Sequence, residues 1–183
     1  MSPVTIRPAW PADLAGVAEI FDYYVTSTSV TLETLPPDRK AWGKRYWTLA
    51  EQGLPFLVAE VDGRIGGYGY CAPWRKQSSY RYCVEDTIYL AQWATGRGIG
   101  GTLLDRMLTE CEQRDIREVI AVVTTNSNEP EPTSWHLHRS RGFDVVGQLN
   151  RVGFKYANAV DTILMQRSLH RHDPAVDLPV HGK

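Results

Sequence analysis

The sequence predicts an α/β domain built on a central mixed, twisted β-sheet with helices on both faces. Three observations predict it. Helical and strand-like periodicities alternate along the chain. Asp62-Gly63 joins two strand-like runs as a hairpin. A glycine-rich turn, Gly96–Gly101, then leads from a strand into a helix and a further strand, an order that implies a mixed, doubly covered sheet.

Each element has a local reason. Val4–Arg7 reads as a short strand, and Pro11 suits the first turn of the helix after it. Leu14, Val17, Ala18, Phe21 and Val25 recur at helical spacing on that helix. Ser27–Leu32 is β-prone and breaks at Pro36-Pro37. A second helix runs from about Asp38 to Gln52, with Trp42, Tyr46 and Leu49 on one face and Gly53 as its stop. The hairpin strands are Phe56–Val61 and Arg64–Cys71, and Gly66, Gly67 and Gly69 in the second signal close backbone approach or a bulge. Ala72–Ser79 reads as a loop and Cys83–Ala91 as a strand. A helix over Thr102–Arg114, a buried strand over Glu118–Thr124, a loop over Asn126–Pro132 and a short helix over Ser134–Arg141 follow. Two strands near Val145–Leu149 and Asp161–Gln166 complete a domain spanning residues 1–169, and the polar residues 170–183, with Pro174 and Pro179, read as a frayed tail.

Composition narrows the function. The net charge of -1 gives no bulk attraction to nucleic acid or to an anionic membrane. No apolar run approaches the roughly 20 residues that span a bilayer, and the N-terminus lacks a signal-peptide pattern. Cys71, Cys83 and Cys111 are too scattered for a disulfide framework or a zinc site and point to a reducing compartment, so the reading is cytoplasmic. His136 and His138 are a His-x-His pair with no further ligands placed beside them, so no metal is expected.

The sharpest motif is Gly96-Arg97-Gly98-Ile99-Gly100-Gly101, with Thr102 following it into the helix. Glycines let the backbone approach a ligand closely, and the helix start aims free N–H groups and a partial positive charge at it. Arg97 adds a cation, and pyrophosphate is what such a site holds well. The run also fits the dinucleotide fingerprint G-x-G-x-x-G, but that fingerprint needs an acidic residue at the end of the next strand. Here that strand ends Val122-Val123-Thr124-Thr125-Asn126.

Thr95–Gly100 resembles the acetyl-CoA pyrophosphate loop of the GNAT acetyltransferases, Q/R-x-x-G-x-G/A, with Gly98 and Gly100 matching and Thr95 where Gln or Arg is usual. The resemblance covers about Val4–Leu169 and is closest to the phosphinothricin and methionine sulfoximine acetyltransferases. Pro73-Trp74-Arg75, Tyr80-Arg81, Val84-Glu85, Ile88-Tyr89, Leu137-His138 and Gly153-Phe154-Lys155 carry it. Ala159 stands before Asp161 where the subfamily often has Trp, and Glu131 replaces a family Asn, for which Asn126 or Asn128 can substitute.

The resemblance implies a GNAT fold, acetyl-CoA as acetyl donor, an amine acceptor and a homodimer. It implies that Ile88, Tyr89 and Leu90 pair with the pantetheine arm through their backbone. It also places Ser134 at CoA and His138 as proton donor to the thiolate or as a CoA contact; a histidine packed against backbone is the alternative. Trp74, Arg75, Tyr80 and Arg81 become acceptor-binding candidates, since arginine grips a carboxylate bidentately. Lys155 is implied to approach the site across the dimer. The resemblance implies Glu85 as general base, and its place on the strand just before the glycine turn supports this; a salt-bridged or solvated strand Glu is the alternative. Acyl transfer needs a neutral amine, and a carboxylate on a covered strand is partly desolvated, which raises its pKa toward the useful range for a base. Asp86 falls on the opposite face by strand alternation and is the weaker candidate.

Overall fold

The computed structural model describes residues 3–125 and 130–169. The hairpin forms as expected: β2 (Phe56–Val61) and β3 (Arg64–Pro73) turn at Asp62 and Gly63, whose φ angles are 50° and 74°. Positive φ at both positions matches the turn to the twist of the strands. β1 (Val4–Pro8) pairs antiparallel with β2, and β4 (Cys83–Leu90) antiparallel with β3. β5 (Glu118–Thr125) lies parallel to β4, β7 (Asn158–Ser168) antiparallel to β5, and β6 (Asp144–Lys155) on the edge beside β7. The mixed sheet therefore has the order β1-β2-β3-β4-β5-β7-β6.

Alternation along β3 divides the helices between the two faces. Tyr68 and Tyr70 face α1 (Leu14–Ser27) and α2 (Arg39–Glu51), where Tyr68 meets Trp42 edge-on at 5.8 Å. Gly69 and Cys71 face α3 (Ile99–Glu112), where Cys71 Sγ lies 3.5 Å from Cys111 Sγ. Both alternatives for the β3 glycines are realised. Gly66 is the extra residue of a bulge, because Ala59 pairs with Gly67 while Glu60 pairs with Ile65. Gly69 is a close approach: a Cβ there would lie 2.4 Å from Met107 Sδ and 3.1 Å from the Thr87 carbonyl oxygen. Gly69→Ala is therefore expected to lower the unfolding free energy by about 1–3 kcal/mol, read from urea denaturation.

Several predicted boundaries move. The helix after the glycine turn starts at Ile99 rather than Thr102 and ends at Glu112, because Gly98 at φ 76° already serves as its N-cap and its carbonyl accepts from Thr102 N–H at 3.1 Å. β3 runs on through Pro73, which pairs with Val84, so the expected loop shortens to a stretch ending in a 3-10 turn at Ser78–Tyr80. The short helix, α4, spans Thr133–Arg139. β6 and β7 outrun their predicted lengths: β6 is an edge strand with most residues exposed and a register shift between Leu149 and Gly153, so its alternation is faint in the sequence. Ser27–Leu32 forms no separate strand despite its propensity. Its first residue ends α1, and the rest is held by local side-chain bonds, Thr28 Oγ1 donating to the Tyr24 carbonyl and Thr31 Oγ1 accepting from Glu33 N–H. The predicted C-terminal tail lies outside the described residues.

Candidate active site

The sheet opens where the candidate residues lie. β4 and β5 pair only over Cys83–Glu118, Val84–Val119 and Glu85–Ile120. Beyond Glu85, β4 stays with β3 as far as Leu90, while β5 stays with β7 as far as Thr125. The two strands thus splay into a V that encloses a cleft of about 860 Å³. Residues Glu85 to Leu90 line one wall; Ala121 to Thr124, with Ser134, Leu137 and His138 of α4, line the other. Tyr24 and the Val30–Glu33 segment also border the cleft. Past Glu85, β4 has no strand partner on its β5 side among the described residues, so its backbone is open to an extended ligand, as in strand addition. The Tyr89 ring meanwhile packs against Phe21 at 5.0 Å and Tyr24 at 4.8 Å, so Ile88, Tyr89 and Leu90 are fixed by their side chains while their backbone borders the cleft.

Thr95, Gly96 and Gly100 border the same cleft. Gly96 and Gly98 are both left-handed, at φ 70° and 76°, which glycine adopts without strain. They turn the chain so that α3 begins at Ile99, leaving the amides of Ile99, Gly100 and Gly101 without intrahelical acceptors. Thr102 Oγ1 donates back to the Gly98 carbonyl at 3.3 Å. One cation here escaped the sequence reading. Arg141 lies against the start of α3, so close that a Cβ on Gly101 would fall 2.0 Å from its Nη2, and Asp105 holds its Nε at 3.3 Å. Arg97 and Arg141 give this helix start two basic residues with no acid in its first turn.

Glu85 and Asp86 take opposite faces of β4, as alternation predicts. Glu85 is half-buried and makes no hydrogen bond or ion pair among the described residues. Burial pushes its carboxyl above the ordinary value and neighbouring Asp86 adds to this, while Arg75 opposes it. Asp86 is buried on the face of α3 and α4, where its Oδ2 lies 2.9 Å from His138 Nε2. His138 Nδ1 lies 2.7 Å from the Ser134 carbonyl oxygen and 3.4 Å from Ser134 Oγ, and the ring meets Phe143 edge-on at 5.0 Å. Burial alone pulls this imidazole down, but the charge and hydrogen bond of Asp86, with the Ser134 carbonyl, outweigh it and leave the ring above its ordinary pKa. His138 thus borders the cleft and is packed against backbone at once.

The acceptor candidates are less gathered. The Arg75 guanidinium stacks on Trp74 at 4.1 Å, within the electrostatic reach of Glu85. Tyr80 is exposed in the 3-10 turn, and Arg81 stacks on Tyr82 at 4.4 Å with Nη1 donating to the Ser78 carbonyl at 3.3 Å. None of these four lines the cleft. Lys155 points into its own chain. Its ammonium is buried within its own chain, donating to the Thr31 carbonyl at 2.9 Å and reaching the Tyr24 carbonyl at 3.5 Å. The carbonyls of Tyr24 in α1 and of Thr31 beyond it hold the ammonium, so Lys155 anchors the segment bordering the cleft. Asn126 and Asn128 lie outside the described residues. Among the described residues, no group of three or more His, Cys, Asp or Glu side chains is placed to hold a metal ion.

A mixed sheet splayed beside a glycine-capped helix suits a ligand with an extended arm and a pyrophosphate, which is the shape of an acyl-CoA. Comparison with known proteins agrees. The Acetyltransferase (GNAT) family profile matches residues 13–143. The chain is 38% identical over 169 residues to phosphinothricin N-acetyltransferase from Alcaligenes faecalis, covering 92% of this chain and 84% of that one. It is 32% identical to the L-methionine sulfoximine/L-methionine sulfone acetyltransferase of Salmonella typhimurium, covering 92% and 96%. The crystal structure of a GNAT superfamily phosphinothricin acetyltransferase from Sinorhizobium meliloti in complex with acetyl-CoA superposes with a TM-score of 0.85 at 36% identity, covering 92% of this chain and 89% of that one. The chain belongs to the GNAT acetyltransferase family and is an acetyl-CoA-dependent N-acetyltransferase.

Proposed function

We propose that this enzyme acetylates the α-amine of a small amino-acid-like acceptor, phosphinothricin or methionine sulfoximine and sulfone, with Glu85 as general base. The observation that carries the reading is Glu85 itself: a half-buried carboxylate without a partner among the described residues, bordering the cleft where the splay begins. The acceptor enters as an ammonium with no lone pair, and Glu85 takes one proton from it. Glycines 96 and 98, Arg97 and the free amides of α3 suit the pyrophosphate of acetyl-CoA, and the β4 backbone suits its pantetheine arm. Arg75 is the best placed of the candidates to meet the acceptor's carboxylate, since it already acts on Glu85. The names of the relatives support the acceptor class. Acetylation turns the charged α-ammonium into a neutral amide and so removes the acceptor's likeness to an amino acid, which makes detoxification of such an analogue the physiological reading.

A homodimer belongs to the same proposal. Edge strand β6 exposes Val146, Leu149, Val152 and Phe154, the last 73% accessible, and a long apolar edge of this kind invites a partner. The free thiols of Cys71, Cys83 and Cys111 suit a cytoplasmic setting. The acceptor assignment is tested by comparing kcat/KM for phosphinothricin, methionine sulfoximine, methionine sulfone and ordinary amino acids. At least one of the first three is expected to exceed every ordinary amino acid by about 100-fold or more, the scale available to a site built to hydrogen-bond a particular polar group. Equal rates across the panel would refute the assignment.

A further inference from the structure

We infer that Asp86 is a positioning residue for acetyl transfer, holding His138 in its imidazolium form on the cleft wall so that a cationic ring meets the departing CoA sulfur; this rests on the acetyl-transfer reading above. The argument starts from what the two ring nitrogens touch. Nε2 lies 2.9 Å from Asp86 Oδ2 and Nδ1 lies 2.7 Å from the Ser134 carbonyl oxygen. A carboxylate and a carbonyl only accept hydrogen bonds, so a neutral ring, with one N–H, sets a lone pair against an acceptor. With Asp86 ionised, only the imidazolium satisfies both contacts. The side chains of His138 and Asp86 are 5% and 3% exposed, so solvent does not stand in for a missing donor.

The ring is also fixed in place. Ser134 and His138 are one turn apart on α4, Phe143 packs on the ring edge, and Phe143 N–H donates to the His138 carbonyl at 3.2 Å. The titratable groups around the pair are few. β4 supplies Asp86 and Glu85, β3 supplies Cys71 and α3 supplies Cys111, whose thiol adjoins that of Cys71; Arg114, just past α3, acts on Cys71 but is paired with Glu110, and the cation in contact with Asp86 is the ring itself. Asp86 is also the first β4 residue beyond the last β4–β5 pair, Glu85 with Ile120, so the ion pair spans the two walls at the vertex of the V. A buried histidine without Asp86 would lose its charge to desolvation.

In the reaction, the amine nitrogen bonds to the thioester carbon and the C–S bond breaks, its electron pair ending on sulfur. One ammonium proton leaves through Glu85 to solvent before attack. The second leaves nitrogen as the intermediate collapses and ends on sulfur, giving the amide, free CoA thiol and one released proton. The imidazolium changes no protons. It stabilises the negative charge growing on sulfur, an electrostatic effect of the kind that dominates in enclosed sites.

The test uses nitrogen NMR of the histidine rings in the whole protein, with the His138 signals assigned through His138→Gln, and the pH profile of kcat. In the wild type both His138 nitrogens should carry protons at pH 8; a neutral ring there overturns the inference, whether or not any variant folds. In Asp86→Asn the ring should titrate at or below the free-histidine value of about 6.5, so at pH 8 only about 3% stays charged and kcat falls about 30-fold or more, with the loss shrinking as pH is lowered. KM for acetyl-CoA should stay within about 3-fold, since the substitution preserves volume. An equal fractional loss at every pH, or a loss confined to KM, overturns the role. If the wild type releases no thiol with any amine, the acetyl-transfer reading fails and the positioning role with it, while the ring's NMR signals still report its charge.

Discussion

Replacing Glu85 with Gln is expected to lower kcat/KM for the amine acceptor by about 10²–10⁴-fold while leaving acetyl-CoA binding intact. That loss corresponds to about 2.7–5.5 kcal/mol of transition-state stabilisation. The substitution keeps shape and removes only the ability to accept a proton, so calorimetric titration with acetyl-CoA should show an unchanged Kd. The wild-type pH profile gives a second handle. Burial raises the Glu85 carboxyl above its ordinary value. A base works only when ionised, so kcat/KM should fall as pH drops through a value above the ordinary glutamate figure of about 4.3. Glu85→Gln should abolish that acidic limb. A Gln variant with wild-type turnover would remove Glu85 from the mechanism.

The second large effect is on the fold. Trp42→Ala is expected to destabilise the protein by about 3–5 kcal/mol, measured by urea or thermal unfolding. Trp42 is 1% exposed. It meets Phe21 at 5.6 Å and Tyr68 at 5.8 Å, both edge-on, and the Arg45 guanidinium lies 4.9 Å from its ring. Phe21 in turn contacts Tyr89, so the cavity would open behind the β4 wall of the cleft. Trp42→Phe should cost clearly less, because the buried indole Nε1 has no hydrogen-bond partner to lose among the described residues. A loss below about 1 kcal/mol for the alanine variant would mean that this aromatic cluster is not what holds α2 to the sheet.

Much of this was legible in the sequence, for physical reasons. The Asp62-Gly63 turn, the β3 glycines and the Gly96–Gly101 run each demand a backbone geometry that few other residues allow, so their positions fix nearby elements. The place of Glu85 on a strand before the glycine turn was legible from the residues, whereas its role as base came from the resemblance to a family. The same alternation put Asp86 on the far face, yet it could not show that α4, 52 residues on, packs there and brings His138 to it. Arg141 was hidden for the same reason: nothing local in Arg-Gly-Phe says that its side chain meets the start of α3. The burial of Lys155 was not legible because its partners are carbonyls of Thr31 and Tyr24, more than a hundred residues earlier. Ser27–Leu32 shows the limit of propensity, since local threonine bonds and the border of the cleft override its β preference.

The central claim is that the splayed cleft transfers acetyl from acetyl-CoA to an amine. It is tested most directly by incubating the purified protein with acetyl-CoA and phosphinothricin or methionine sulfoximine, measuring released CoA thiol, and weighing the acceptor by mass spectrometry. The account predicts one thiol released for each acceptor molecule made heavier by one acetyl group on its α-nitrogen, at a rate that collapses in Glu85→Gln. Thiol release with no acetylated acceptor, or an acceptor modified as fast by Glu85→Gln as by the wild type, would contradict it.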